Sequence, residues 1–111
     1  MAPVTAGPHV HFWVVSRRQV ERRLTEVGRR LRELREELQV ADEQLLHLAA
    51  DADDARLRAL VSETPVSDRE HREASRHAEA MRSHRASVAE EIARLEAQQD
   101  ELLDRFTAET Y

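Results

Sequence analysis

The sequence predicts an all-α fold: an antiparallel two-helix coiled-coil hairpin, pairing into a four-helix assembly. Three observations predict it. Apolar residues at Val20, Leu24, Val27, Leu31, Leu34, Leu38, Ala41, Leu45, Leu48, Ala52, Ala55 and Ala59 recur in unbroken steps of four and three, which is the spacing of a coiled-coil seam. A second seam runs through His71, Ala74, Ala78, Met81, Arg85, Val88, Ile92, Leu95, Gln99, Leu102 and Phe106. One short breaker, Ser62-Glu63-Thr64-Pro65-Val66-Ser67, separates them. A loop this short forces two long helices to lie side by side and antiparallel.

Composition agrees. The chain has 111 residues, of which 35% are charged and 4% aromatic, with two glycines. Ala, Glu, Leu and Arg dominate, as they do in long helices. Every basic residue is Arg, a bias expected of a GC-rich bacterial genome. The net charge of −5 argues against wholesale nucleic-acid binding. The absence of Cys excludes disulfides and thiolate metal sites and suits a cytoplasmic protein. No apolar run approaches the roughly 20 residues that cross a bilayer, and the start has neither the basic region nor the long apolar region of a signal peptide.

Residues 1–15 are expected to be disordered or loosely packed. The first eight hold two Pro and one Gly. His9-Val10-His11-Phe12-Trp13-Val14-Val15 is the β-like run, and three readings of it stand side by side: an apolar clip packed on the helix ends, a docking peptide, or an upstream extension of a chain whose true start is Val14 or Val15. Mass spectrometry of the natural N-terminus separates the last from the others.

Helix 1 is expected over about 16–61. Ser16-Arg17-Arg18-Gln19 fits a capping box, in which the Ser hydroxyl accepts from the backbone N–H three residues on and Gln reaches back. Gly28 costs roughly 1 kcal/mol relative to Ala without ending so long a pattern. In the turn, at about 62–67, two helix starts overlap. Thr64 can cap with Pro65 at the first helical position, or Ser67-Asp68-Arg69-Glu70 can form a second capping box. Helix 2 is expected over about 65–107, with residues 108–111 as a tail.

Charge supports the pairing independently. Residues 17–35 hold eight Arg against three Glu, and residues 88–109 hold seven acids against two Arg. Folding about the turn lays them together. Antiparallel coils oppose a and d positions, so facing residues have numbers adding to about 126, or in the alternative layer set to about 133. The first value implies a turn centred near Glu63. Away from the turn the seam carries Leu, Val, Ile and Phe, whereas near the turn it carries mostly alanine. Small side chains bury less apolar area, at about 25 cal/mol per Å², so the turn half is expected to be the weaker half.

Leu46, Ala50, Leu57, Leu60 and Val61 lie off the main seam as a second stripe near the turn. They read as a homodimer or partner-helix interface, or else as the hairpin's own core if the seam slips by one residue at Leu45-Leu46. Arg85 and Gln99 enter the seam of helix 2. Arg85 can pack its stem and send its head outward, and Gln99 fits a register-setting polar position. Arg17, Arg18, Arg22, Arg29 and Arg30, with Arg23, Arg32 and Arg35, form a basic cluster that could meet phosphates. It has no interleaved aromatic for base stacking and lies against the acidic tail of helix 2.

Asp51, Asp53, Asp54, Glu63, Asp68 and Glu70 make the turn end acidic. Acidic-tipped hairpins occur in factors that enter the RNA polymerase secondary channel, but those carry a further globular domain or zinc site, so the likeness is an analogy of fold alone. His77 and His84 are seven residues apart, too far for one ion, and His9 and His11 lack a third ligand. No Gly-rich phosphate loop or nucleophile–base pattern occurs, and a two-helix hairpin is expected to have no pocket. The expectation is a small non-enzymatic interaction or scaffold protein, without metal, cofactor or small-molecule substrate, acting as a homodimer or on another helical protein. The alternative is a regulator of transcription or nucleic-acid machinery, working through the acidic tip or the Arg cluster.

Overall fold

The computed structural model describes the backbone of residues 2–110 and the side chains of residues 17–108. It contains two helices, α1 (Ala2–Ser62) and α2 (Pro65–Thr110), and no strand among the described residues. Helix α1 begins upstream of the start expected at Ser16, because a capping sequence acts only where the chain leaves the helix and α1 continues through it. The side chains of the expected loose segment 1–15, including the His9–Val15 run, lie outside the described residues. Helix α2 reaches three residues beyond the expected end at 107.

The turn consists of Glu63 and Thr64. Helix α1 ends in a left-handed cap: Glu63 has φ 50°, and its N–H donates to the Ala59 carbonyl at 3.0 Å. This one-bond ending is normally made by Gly, which has no Cβ to clash. Thr64 then caps α2, so of the two possible starts the chain uses Thr64-Pro65. Ser67 N–H donates to Thr64 Oγ1 at 3.1 Å, and Thr64 N–H donates to Ser67 Oγ at 3.2 Å. Ser67 serves here in the place a Glu or Gln takes in a capping box. Pro65 sits at the first helical position, where no N–H is needed.

The chain divides into two compact units. The first comprises Met1–Glu33 and Ile92–Tyr111. Its core is Val20, Val27, Leu31, Ile92 and Leu102, all buried. The Arg17 guanidinium lies over the Phe106 ring at 5.0 Å, and Arg23 Nη2 donates to Gln98 Oε1 at 3.2 Å. The second unit is Leu34–Glu91, which contains the turn. Leu34 and Val88 are buried in it, followed toward the turn by Ala41, Ala55 and Ala78. His84 Nε2 is 3.4 Å from Glu37 Oε1, and Arg85 Nε donates to Asp42 Oδ1.

In these contacts the facing numbers add to 123 and 121 in the first unit and to 121 and 127 in the second. All four lie below the alternative value of 133, and three of them fall three to five short of 126. Every seam position of both helices is buried or half-buried. The seam does not slip at Leu45-Leu46: Leu46 is 74% exposed, whereas Leu45 is half-buried. The physical cause is the helix itself, since moving the seam by one residue rotates the buried stripe by about 100°.

Candidate functional site

The second unit, Leu34–Glu91, carries the exposed apolar surface. In α1 the seam positions Leu45, Leu48, Ala52, Ala55 and Ala59 face α2. Leu46, Ala50 and Leu57, four and seven residues apart, recur after one and two turns on the opposite face of the same helix. Leu60 and Val61 extend that face to the turn. All five are exposed, Leu46 by 74% and Val61 by 85%. Val66, at the second position of α2 where the seam has not yet begun, is also exposed.

Charge near this face comes in blocks along the sequence: Asp51, Asp53 and Asp54 are followed by Arg56 and Arg58, and all five are exposed. Among the described residues, no hydrogen bond or ion pair within the chain involves them. Farther up α1, in the first unit, the opposite holds. Arg17 pairs with Glu21 at 3.7 Å, Arg23 with Glu26 at 3.3 Å, and Arg29 and Arg30 converge on Glu33 at 3.0 and 3.2 Å. Four of the eight arginines in the basic cluster expected from sequence are therefore paired along their own helix, and Arg17 also stacks on Phe106. Arg18 and Arg22 border a shallow groove of about 590 Å³ together with Glu21, Thr25 and Glu26. Its wall carries both signs of charge.

A second groove, of about 480 Å³, corrects the expectation that a two-helix hairpin offers no concavity. Its floor includes Ala49, Ala52 and Ala78, and its rim includes Asp53, Arg56, His71, Arg76, Glu79 and Arg82. The alanine-rich seam makes it, because small side chains leave space that leucine would fill. Arg82 Nη1 donates to Glu79 Oε2 across its edge at 3.1 Å.

The two polar seam residues differ. Arg85 is half-buried, and its head meets Asp42 on α1, a partner the seam pattern did not indicate. Gln99, in the first unit, is half-buried; the cross-helix hydrogen bond beside it is made by Gln98. Of the histidines, His47 and His77 are exposed and His71 lies on the second groove. Among the described residues, no three His, Asp or Glu side chains are grouped to hold a metal ion. No described helix is long and apolar enough to cross a membrane. No known protein family, curated protein or solved structure matches the chain.

Proposed function

We propose that this chain is a small non-enzymatic helical interaction module that binds another helix along the back of α1, completing a four-helix assembly in the cytoplasm. The observation that carries the reading is the set of exposed apolar side chains on α1 at Leu46, Leu57, Leu60 and Val61. Single exposed leucines are ordinary on a protein surface, whereas a row at helical spacing is the footprint of a partner helix. Such a role calls for no cofactor or small-molecule substrate. Absence of Cys suits the cytoplasm.

The energetics suit a reversible contact. Fully burying a Leu or Val gains about 1.5–3 kcal/mol. Four such side chains, already partly covered, give a gross gain of about 4–8 kcal/mol. Association costs on the order of 4–15 kcal/mol in lost freedom. The stripe alone therefore supports a modest affinity, with polar contacts at its rim deciding the partner. Affinity capture from cell extract tests the reading, comparing the natural chain with Leu57→Asp. A helical partner, or a second copy, retained by the first and lost by the second is the expected result. Identical capture by both chains overturns it.

A further inference from the structure

We propose that copies of this chain join side by side, the outward face of α1 in one copy lying antiparallel on the outward face of α2 in the next. The surface lies in the first unit and goes beyond the contact proposed above, which uses the second.

The faces come first. Arg18, Arg22, Thr25 and Arg29 each stand two residues before a seam position of α1, and Ala93, Ala97, Asp100 and Asp104 each stand two residues before a seam position of α2. Two residues turn a helix by about 200°, so each set lies on the side away from the seam. All eight residues are exposed. One face is basic and the other acidic.

Charge without a partner is the second observation. The three glutamates among residues 17–33 are taken by Arg17, Arg23, Arg29 and Arg30. Arg18 and Arg22 have no side-chain hydrogen bond or ion pair among the described residues, and neither have Asp100 and Asp104. Each pair stands one turn apart on its helix.

Register is the third. Antiparallel helices oppose residues whose numbers have a constant sum. At a sum of 122, Arg18 meets Asp104, Arg22 meets Asp100, Thr25 meets Ala97 and Arg29 meets Ala93. A sum seven higher leaves one acid of the set opposite an arginine, and a sum seven lower leaves none. The value falls between the 121 and 123 found where α1 meets α2 inside this same unit. Neighbouring copies therefore stand level, and within this unit each α1 has an α2 on both sides at one height. Thr25, Ala93 and Ala97 are small, and side chains at the contact set the distance between helices, so close approach is possible. Leu103, 46% exposed, comes level with the groove bordered by Arg18, Glu21 and Arg22. Exposed ion pairs are weak and screened by salt, so the association is salt-dependent. The two faces differ, so it continues from copy to copy and does not stop at a pair.

Sedimentation at about 0.01 M salt, where screening is slight, should show the mean mass rising above 12.8 kDa as the chain is concentrated toward about 1 mM, and falling back in about 1 M salt. Arg18→Glu with Arg22→Glu, and separately Asp100→Arg with Asp104→Arg, should each stay monomeric, because like charges then meet at every contact. An equal mixture of these two variants should associate again, since each face of one opposes a face of the other sign on its neighbour. If a charge variant loses helicity, cysteine pairing carries the test. The chain has no Cys, so Thr25→Cys and Ala97→Cys chains mixed together should form the mixed disulfide dimer in excess of random pairing. Leu57→Asp should leave the association unchanged. The proposal is overturned by a mass of 12.8 kDa throughout at low salt, by association that ignores salt or is lost with Leu57→Asp, by a mixture of well-folded variants that stays monomeric, or by disulfides at the random ratio. A chain that stays monomeric but is held on heparin until Arg18 and Arg22 are replaced also overturns it, and gives the basic face to a polyanion.

Discussion

Thr64 and Ser67 cap helix α2 reciprocally, through a closed set of four hydrogen bonds. Thr64 Oγ1 accepts from Ser67 N–H and donates to Ser67 Oγ at 2.9 Å, while Ser67 Oγ accepts from Thr64 N–H and donates to the Thr64 carbonyl at 2.9 Å. Ser67 is the one buried polar side chain among the described residues. Its burial carries little penalty because its hydroxyl is satisfied on both sides.

The first prediction follows from that cap. Thr64→Ala removes the acceptor for an otherwise unpaired N–H in the first turn of α2 and should destabilise the protein by about 1–2 kcal/mol. The midpoint of thermal unfolding, followed by circular dichroism, should fall by several degrees. Thr64→Ser keeps the hydroxyl and should recover most of the loss.

Glu63 gives a prediction of opposite sign. Its φ of 50° puts a side chain into the left-handed region, at a cost of roughly 1–2 kcal/mol relative to a right-handed residue. Glycine escapes that strain but gives up more freedom on folding. Glu63→Gly should therefore stabilise the chain by a net amount of about 0.5–1 kcal/mol. An unfolding midpoint that does not rise would mean that the carboxylate contributes at the start of α2 what the backbone loses.

Gly28 is a glycine of the other kind. It lies inside α1 with a right-handed backbone, and a Cβ built on it meets nothing within 4 Å. No turn or close approach needs it there. Gly28→Ala should stabilise the protein by about 0.8–1 kcal/mol, the difference in helix propensity, again read from the thermal midpoint.

The architecture was legible in the sequence because heptad spacing is a geometric signal that tertiary context rarely overrides. Val27, Leu31 and Leu34 are buried where the period places them. The turn was legible only to within two overlapping starts. Thr64 prevails over Ser67 because Pro65 fits the first helical position, and Ser67 is then inside the helix with its hydroxyl already committed. Polar contacts between the helices were less legible. Arg85 packs its stem in the seam and sends its head outward as expected, but its partner there, Asp42, was not expected. A seam pattern names what is buried, whereas the partner of a long side chain depends on rotamers and on which neighbour lies across the groove. The groove beside Ala49, Ala52 and Ala78 was missed for a related reason: alanines in a seam were read as weak packing, although the space they leave is also a concavity.

The last prediction separates the buried face of α1 from its exposed one. Leu34 is 1% exposed and Leu57 is 61% exposed. Leu34→Asp forces a carboxylate into a buried position of an apolar seam. It loses the packing of a buried leucine, about 2–5 kcal/mol for truncation alone, and adds the desolvation of a charge. In a protein whose whole stability is on the order of 5–15 kcal/mol, that is enough to abolish most of the helical signal in circular dichroism. Leu57→Asp places the same group in water on the far side of the same helix. It should leave helicity intact and move the unfolding free energy of the monomer by about 0.5 kcal/mol or less, apart from whatever stability association itself contributes. Equal losses in the two variants would show that Leu57 belongs to the core, and a Leu34→Asp chain that keeps its helices would show that the seam is misplaced.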